Sequence, residues 1–523
     1  MSTARKPRDW FLICSWIVLI LVLSGLIIYM STHVEKLLDA DMSSELVLGK
    51  LLQQSGGILS NQWYYSTELR VLNTQLVYSF FFHLFDDWQT VRILGNVALY
   101  LILLGSYFFL CKRLKIERYF PLSAAVMLLP LSGPYFYILL YGTYYIPRVS
   151  MMFLIAGSIL PVAGENKHSV GSVAMGLFAL LLSLALGLEG ARMLLILFVP
   201  LAVLVAAETL IRVIASKSQK WSGKLLALRQ DGFSRYFGLS FFACLIAVAG
   251  YLINRYLLIS IYPFEAYGGM TIKLTLGTIK RTVFNQLNLI GNGTWTVFLS
   301  LAIWLFIAFL FVWYLLQKDE KSLAKRRFIW LNILSWASYT AFNCIVSFGQ
   351  TEWHMVPAAV LFIPGVAIVL GDLPLRSVLR RVILIGFSAC FLYLSMLGYS
   401  TFAQWMNRDA TRSSAAFNQM TEALLKDGYR NGFASFWDAN ILTELSDGAI
   451  DVWCVEDFDE NTPQNPAIYD WLQKKSHDTD RPTGKVFVVW NAEEYARLGK
   501  QGFSYLGKIV FQDDAFVVFD VVQ

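Results

Sequence analysis

Long apolar runs recur along most of this chain, and they constrain its fold more than any other feature. A helix needs about 20 predominantly apolar residues to cross the hydrocarbon core of a bilayer. Runs of this kind predict eleven membrane spans, near residues 10–30, 91–111, 119–140, 148–164, 170–187, 192–211, 236–260, 295–317, 328–348, 357–372 and 380–400. The predicted fold class is therefore mainly α, a polytopic membrane protein with about eleven transmembrane helices.

The composition and the N-terminus support this interpretation. Soluble domains carry about 25% charged residues, whereas this chain has 15% charged and 56% hydrophobic residues. The first run follows MSTARKPRD and ends at Ile28, Tyr29 and Met30. It is longer than the apolar region of a signal peptide and lacks a small-residue cleavage site, so it predicts a retained anchor.

Basic residues predict the orientation of the chain. If the N-terminus lies in the cytoplasm, the basic clusters within 112–118, 217–229 and 318–327 all fall in cytoplasmic loops. The positive-inside rule expects this distribution. We therefore expect three polar segments on the opposite side of the membrane, a long loop over 31–90, a second loop over 261–294 and a tail over 401–523.

The outer segments show their own patterns. Asp41 is predicted to cap a helix with apolar positions at Leu48, Leu51 and Leu52, and residues 67–85 predict a further interfacial helix. The tail predicts helices over 413–428, 466–475 and 491–498 and strands over 433–437, 450–455, 485–490, 507–512 and 515–522. We expect a transmembrane domain over 1–400 and a small external α/β domain over 401–523.

Three carboxylates at the start of the first outer loop are the first candidates for chemistry. Asp39, Asp41 and Glu45 lie within seven residues in an otherwise apolar neighbourhood. A carboxylate here could serve as a general base. The plain alternative is a solvated helix start, where acidic residues are favoured by the positive end of the helix dipole. A D-x-D site for nucleotide sugars is disfavoured because such sugars are cytoplasmic and this loop is predicted to face outward.

Cations and aromatic residues on the same predicted side are the second set. A charge near the membrane is costly, so its partners usually matter. The alternatives are snorkelling to lipid headgroups and, for Glu189 and Arg192, mutual pairing. Tyr64 and Tyr65 suit either an interfacial aromatic belt or a sugar-binding cleft. The remaining basic candidates are Arg70, Arg148, Lys280, Arg281 and His354.

The whole arrangement resembles the GT-C superfamily of polyprenyl-phosphate-sugar-dependent membrane glycosyltransferases. Those proteins share a cytoplasmic N-terminus, one span, a long external loop that opens with acidic residues and carries surface helices, further spans and an external C-terminal domain. DADMSSEL at 39–46, NQWYYSTELRVLNTQLVY at 61–78 and RILGN at 92–96 look like bacterial members that act on surface glycans. The superfamily includes protein O-mannosyltransferases, oligosaccharyltransferase catalytic subunits and the aminoarabinose transferases of lipid A.

The resemblance implies a function and a set of site residues. It implies inverting transfer of a sugar from a polyprenyl-phosphate carrier to an extracytoplasmic glycan or lipid-linked acceptor in a bacterial cytoplasmic membrane. Asp41 best matches the family's base, Asp39 comes next, and Glu45 would support either. The residues assigned to binding of the donor phosphate are Arg148, Arg192, Lys280, Arg281 and His354. The residues assigned to the substrate cleft are Glu189, Tyr64, Tyr65, Glu68 and Arg70.

Two other function classes remain as alternatives. A polysaccharide polymerase or ligase that uses a diphosphate-linked glycan would need external cations but no single carboxylate base. A lipid or glycan transporter would often show repeated halves, and the sequence shows no internal repeat. No resident cofactor and no nucleic-acid partner are predicted; because some relatives use a divalent ion, a metal stays open although the chain has no clear His/Cys ligand spacing.

Overall fold

The structure is a computed structural model. It describes residues 9–33, 38–66, 69–162, 170–216, 228, 232–262, 272–289, 294–317, 322–346, 352–372, 377–408, 414–456, 467–499 and 506–521.

Helices dominate the described residues. In chain order they are α1 (Trp10–His33), α2 (Ala40–Ser55), α3 (Thr74–Phe82), α4 (Trp88–Arg113), α5 (Phe120–Met127), α6 (Gly133–Tyr135), α7 (Ile146–Ile159), α8 (Val170–Leu188), α9 (Ala191–Met193), α10 (Val199–Ala215), α11 (Phe233–Leu252), α12 (Leu276–Asn288), α13 (Thr294–Leu316), α14 (Leu323–Ile345), α15 (Val356–Val360), α16 (Phe362–Asp372), α17 (Ser377–Arg408), α18 (Ser414–Lys426), α19 (Phe436–Leu445), α20 (Ser476–Thr479) and α21 (Ala492–Leu498).

Strands and other helical turns complete the description. The strands are β1 (Trp63–Tyr64), β2 (Asn431–Ser435), β3 (Asp451–Val455), β4 (Gln473–Lys474), β5 (Val486–Asn491), β6 (Leu506–Gln512) and β7 (Phe516–Val521). Wider π turns cover Phe136–Tyr141, Leu194–Phe198 and Ile253–Leu257, and tighter 3-10 turns cover Glu117–Tyr119, Leu258–Ser260 and Glu352–Met355.

Eight helical stretches within the described residues are long and apolar enough to cross a membrane. They are Trp10–His33, Trp88–Arg113, Val170–Leu188, Ala191–Ala215, Phe233–Ser260, Thr296–Leu316, Trp353–Asp372 and Ile385–Gln404. A ninth arises if Gly133–Tyr141 and Ile146–Ile159, which meet at 83°, form one broken span. The polytopic fold class is confirmed, with fewer spans than the eleven predicted.

The missing spans have physical explanations. The span predicted over 119–140 is broken into α5, α6 and a π turn. The span predicted over 148–164 corresponds to α7, which is too short to cross a membrane by itself. Proline has no N–H to donate, so it favours the first turn of a helix over its interior; it stands there in α5, α6 and α7. The span predicted over 328–348 is α14, whose apolar character is diluted by Asn332 and Asn343.

The chain forms two compact units. One contains Met1–Ile27, Tyr100–Ile253 and Gly269–Phe402, and the other contains Ile28–Leu99, Asn254–Gly268 and Ala403–Gln523. The second unit therefore combines the loop predicted over 31–90 with the C-terminal tail. Each unit is made of three separate stretches of the chain. The domain boundary predicted between residues 400 and 401 therefore stays a prediction.

In the second unit, α2 is a buried helix. Ten of its residues, from Ala40 through Leu52, are buried, and it packs against both α3 and α19. Gly49 of α2 lies so close to Tyr78 of α3 that an added Cβ would come within 2.9 Å of the tyrosine Cβ. The helix predicted over 67–85 appears as the shorter α3. Most of this helix is thus enclosed by other elements of its own unit, while Asp41 near its start is exposed.

The tail forms a five-stranded sheet in the order β3-β2-β5-β7-β6. β2 pairs in parallel with β3 and β5, while β7 pairs antiparallel with β5 and β6. Because side chains alternate along a strand, Ala434 and Phe487 face a core with α18 and α19, whereas Phe433 and Val488 face α21. The predicted α/β character of the tail is confirmed.

In the tail, one local prediction is wrong and one predicted strand has a different end. Residues 466–475 are not a helix where the structure describes them: Gln473–Lys474 is β4, which pairs antiparallel with β1 of the first loop. The strand predicted over 433–437 ends at Ser435, where α19 begins. A short apolar segment with aromatic residues suits either pattern, and here the pairing partner decided the outcome.

Candidate active site

The acidic cluster occupies the first turns of α2. Asp39 is the N-cap: its backbone is extended (φ −120°, ψ 168°), and its carboxylate accepts the N–H of Met42 at 2.7 Å. The sequence-based choice of Asp41 as the cap is therefore wrong. The helix begins at Ala40, so the residue just before it satisfies the otherwise unpaired N–H groups of the first turn.

Glu45 lies one turn further and is committed to two partners. Its side chain is 9% exposed, and Oε1 lies 3.1 Å from Nη1 of Arg70. Thr74, at the start of α3, donates its hydroxyl to Oε2 at 2.9 Å. Burying a carboxylate without such partners would be costly. Glu45 thus ties α2 to the segment that leads into α3, and Thr74 is a member of the site that sequence reasoning missed.

Asp41 differs from both neighbours. Among the residues that the structure describes, its carboxylate makes no hydrogen bond or ion pair, and its side chain is exposed. Nevertheless the surrounding protein displaces enough water to raise the pKa of Asp41, while Arg70 lowers it and Glu45 raises it. Asp41 is thus an accessible carboxyl whose pKa lies above its ordinary value.

A buried ion pair holds this helix start in place. Arg92 of α4 is 1% exposed and pairs with the carboxylate of Glu444 in α19. Its Nη2 also donates to the backbone carbonyl of Met42 at 3.0 Å. Arg92 therefore fixes the residue next to Asp41. The signal in the sequence was the charge itself, because a buried arginine needs an acidic partner, but nothing marked Glu444 as that partner.

A small recess adjoins the Glu45–Arg70 pair. Its volume is about 10 Å³. The residues around it are Ser44, Glu45, Leu48, Trp63, Tyr65, Ser66, Arg70, Gln75 and Leu472. The recess therefore brings together three predicted site residues of the first loop, Glu45, Tyr65 and Arg70. Leu472 of the tail completes its lining.

The two predicted tyrosines are both engaged. The Tyr65 hydroxyl accepts the backbone N–H of Ser60 at 2.9 Å, and the Tyr64 hydroxyl donates to the Asp478 carboxylate. Burial raises the pKa of both phenols, so each stays protonated at neutral pH. Tyr64 joins the first loop to the tail, whereas Tyr65 lines the recess. Glu68, the remaining cleft prediction in this loop, lies outside the described residues.

The first unit contains a separate cluster of predicted site residues. Arg148 and Glu189 are both buried and form an ion pair, with Nε to Oε2 at 3.2 Å. The ring of Tyr145 lies 5.3 Å from the Arg148 guanidinium and 5.9 Å from that of Arg192, and its hydroxyl accepts a hydrogen bond from Arg192. The sequence alternative paired Glu189 with Arg192; the structure pairs it with Arg148.

The other predicted cations of this unit are distributed differently. Lys280 is exposed on α12, and Arg281 is half-buried and donates to the carbonyl of Val346, at the end of α14, at 2.6 Å. A cation at a helix C-terminus is favourable, so Arg281 has a structural task. His354 is half-buried in the turn that precedes α15. No group of three or more metal-ligating side chains occurs within the described part of the chain.

Comparisons with known proteins test the fold. No family model matches the chain, and no curated protein matches its sequence. Among solved structures, ArnT from Cupriavidus metallidurans bound to undecaprenyl phosphate matches 97% of this chain and 98% of its own, with a TM-score of 0.56 at 12% identity. The apo form of ArnT covers 98% of both chains, with a TM-score of 0.52 at 13% identity.

The chain has the GT-C fold. ArnT is a GT-C glycosyltransferase, and the agreement runs over nearly the full length of both chains. A more distant match, the archaeal oligosaccharyltransferase AglB from Archaeoglobus fulgidus in complex with an inhibitory peptide and a dolichol-phosphate, has a TM-score of 0.40 at 11% identity.

Expectations from the sequence about the fold are now confirmed. The resemblance to the GT-C superfamily is confirmed for the fold, as is a multi-pass membrane protein with a small strand-containing C-terminal domain. At 12 and 13% identity, the likeness to ArnT establishes the fold. The reaction has to be argued from the residues of this chain.

Proposed function

We propose that this protein is a membrane glycosyltransferase that uses a polyprenyl-phosphate sugar as donor. One observation carries the proposal: two of the three carboxylates at the start of α2 have structural tasks, and the third has none. Asp39 caps the helix and Glu45 binds Arg70 and Thr74. Asp41, in contrast, is exposed and its pKa is raised. That combination suits a general base.

The proposed chemistry is a single displacement with inversion at the anomeric carbon. Asp41 accepts the proton of an acceptor hydroxyl as its oxygen attacks that carbon, and the bond from the carbon to the carrier phosphate breaks. A carboxylate with a raised pKa holds the proton better than an ordinary one. It remains ionised above its raised pKa, so the reaction should speed up as the pH rises through that value.

The leaving phosphate gains negative charge and needs fixed cations. Arg70 is the predicted cation in the same unit as Asp41, is half-exposed, and interacts electrostatically with that carboxyl. Arg148 is compensated by the buried Glu189, so we assign it to the framework of the first unit. Arg192, Lys280, Arg281 and His354 stay candidates for donor-phosphate binding on the resemblance alone.

The carrier and acceptor are proposed as classes. ArnT has been solved with undecaprenyl phosphate, which supports a polyprenyl phosphate for a chain of the same fold. We place the enzyme in a bacterial cytoplasmic membrane, with its N-terminus inside and its C-terminal domain outside, because the basic clusters favour that orientation. The acceptor is then an extracytoplasmic glycan or a lipid-linked glycan.

The polymerase or ligase alternative is less well supported. Such an enzyme needs no isolated carboxylate base, whereas the start of α2 supplies one. For transport, the described residues give no comparable observation. The likeness to ArnT over 98% of each chain favours transfer among these classes.

The decisive test compares Asp41→Asn with Asp39→Asn. Removal of a general base typically lowers a rate by about 10²- to 10⁴-fold, so Asp41→Asn should lose transfer to that extent in membranes supplied with undecaprenyl-phosphate sugars. Asp39→Asn removes the same charge two residues away, but asparagine caps a helix as well as aspartate does. It should keep most of the activity. Full activity of Asp41→Asn would refute the assignment.

Stability provides an internal control for the same variant. Because the pKa of Asp41 is raised on folding, its ionisation favours the unfolded state, and the associated stability is lost as the pH rises through the raised pKa. Asp41→Asn is neutral at every pH. Its thermal stability at neutral pH should therefore equal or exceed that of the natural protein, which separates loss of catalysis from loss of folding.

A further inference from the structure

Two buried polar groups of the recess beside Glu45 lack partners. Nε1 of Trp63 and Oε1 of Gln75 make no hydrogen bond within the described residues. Both side chains are almost completely buried, at 0% and 1% exposure. Because an unsatisfied buried polar group costs about 1–3 kcal/mol, two such groups around one cavity point to a ligand that satisfies them.

The orientation of the Gln75 side-chain amide is fixed by the hydrogen bond that its nitrogen makes. Its Nε2 donates to the backbone carbonyl of Arg70 at 2.9 Å, which identifies Oε1 as the unpaired acceptor. Trp63 belongs to β1, and its pairing with Lys474 of β4 fixes its backbone. Two residues that line the recess therefore carry an indole N–H donor and an amide acceptor on side chains that are held in place.

A hydroxyl group matches this pair, since it accepts one hydrogen bond and donates another. The recess volume is about 10 Å³, close to the size needed for one water-sized group. We propose that the recess is a subsite for a single hydroxyl group of a saccharide substrate, bound between Trp63 and Gln75. The proposal rests on the proposed function, because it assumes that a saccharide approaches Asp41, one helical turn from Glu45.

The C-terminal domain supplies one wall of this subsite. Leu472 lines the recess with a positive φ of 47°, a backbone conformation that a leucine rarely adopts. Its carbonyl accepts the amide of Asn440 at 3.0 Å. The next residue, Gln473, pairs its side-chain amide with the backbone N–H and carbonyl of Cys454, at 3.0 and 3.2 Å. These contacts hold Leu472 in place, and the tail thereby limits the size of the subsite.

The main test removes the indole donor and keeps a smaller aromatic ring at the same buried position. In the full-length protein, Trp63→Phe deletes Nε1–H, and removal of an unpaired donor costs the fold no hydrogen bond. Affinity is measured for undecaprenyl phosphate and for a panel of undecaprenyl-phosphate hexoses and pentoses. If the hydroxyl belongs to the donor sugar, the natural protein should bind its preferred sugar-bearing carrier more tightly than the bare carrier, and Trp63→Phe should lose about tenfold of that difference.

A second arm separates the two sources of the hydroxyl. If the hydroxyl belongs to the acceptor, the sugar-dependent affinity stays intact and the KM for acceptor glycan from the same membranes rises by a similar factor. Either result supports the subsite. If neither quantity changes, a resident water fills the recess and the proposal is overturned. Trp437→Phe, at a 57% exposed tryptophan of the same unit, is the matched control and should change neither quantity.

A further variant guards against a folding defect. Gln75→Met keeps the side-chain length and removes the acceptor together with the Nε2 bond to the Arg70 carbonyl; with its melting temperature measured alongside, it should weaken the same quantity as Trp63→Phe. Leu472→Ala widens the recess and should relax discrimination between sugars that differ at one hydroxyl, with the affinity for bare undecaprenyl phosphate unchanged. A protein that binds no polyprenyl phosphate at all would contradict the proposed function, whereas normal transfer with unchanged discrimination in every variant would contradict only the subsite.

Discussion

The start of α2 and the cluster around Tyr145 use the same kinds of residues to different ends. At the start of α2, three carboxylates accompany Arg70, and one carboxylate has no side-chain partner among the described residues. Around Tyr145, the buried Glu189 pairs with Arg148, and the tyrosine ring lies beside both Arg148 and Arg192. In the first region the Asp41 carboxylate is exposed and makes no ion pair among the described residues. In the second region the buried Glu189 carboxylate forms an ion pair with Arg148.

This difference makes the start of α2 a candidate catalytic site and the Tyr145 cluster a candidate structural element. A catalytic group has to be accessible and ready to exchange a proton, and an unpaired carboxyl with a raised pKa meets both conditions. A buried ion pair is held by its partner, and its loss is felt mainly as instability. Substitutions in the two regions should therefore fail in different ways.

The largest expected effect is on stability in the Tyr145 cluster. Glu189→Ala leaves Arg148 buried without its carboxylate, which typically costs about 3–5 kcal/mol. We expect a marked fall in the melting temperature of the detergent-solubilised protein. The double variant Arg148→Met with Glu189→Leu should recover much of that loss, since apolar residues of similar volume replace a buried pair well.

Activity provides the contrast for this prediction. The double variant should retain transfer if the pair is architectural, because its stability is restored while both charges are absent. A stable double variant without activity would instead place Arg148 or Glu189 among the groups that contact substrate. That outcome would remove the distinction between the two regions.

The next effect concerns the pH dependence of the reaction. Glu45 raises the pKa of Asp41 and Arg70 lowers it. Glu45→Gln should therefore lower that pKa and move the rising limb of the pH–rate profile to lower pH. Arg70→Gln should move it to higher pH. The measurement is the initial rate of transfer across pH in purified protein, with Asp39→Asn as a control that retains its cap.

Opposite shifts from Glu45→Gln and Arg70→Gln would confirm that the limb reports Asp41. If both variants move the limb in the same direction, or neither moves it, another group controls the rate. The test depends on direction, so it does not require the two variants to have equal activity.

Much of this organisation could be predicted from the sequence. The spans near 10–30, 91–111 and 170–187 are long and apolar, and lipid imposes helices on such segments. Likewise, β-branched and aromatic residues along 450–455 and 485–490 predicted β3 and β5. These features depend on local periodicity, which a sequence displays directly.

The errors arise where distant contacts decide between local alternatives. Residues 466–475 have a helical pattern, but β4 forms there because β1 of the first loop offers a strand to pair with. Asp41 was predicted as the cap, but the helix begins at Ala40, so that Asp39 takes this position. The partnership of Arg92 with Glu444 spans 352 residues, a separation that no local pattern reveals.

The smallest expected effect tests the division of labour among the three carboxylates. Asp39→Ala removes the side chain that accepts the Met42 N–H, and loss of such a cap costs about 0.5–2 kcal/mol. Asp39→Asn should cost only a small part of this because it keeps an acceptor. Thermal unfolding of both variants gives the comparison. Transfer by Asp39→Ala should fall only as far as the helix start frays, and recover at lower temperature. If Asp39→Asn instead abolishes transfer while unfolding like the natural protein, then Asp39 is the base, and the exposed position of Asp41 has a different explanation.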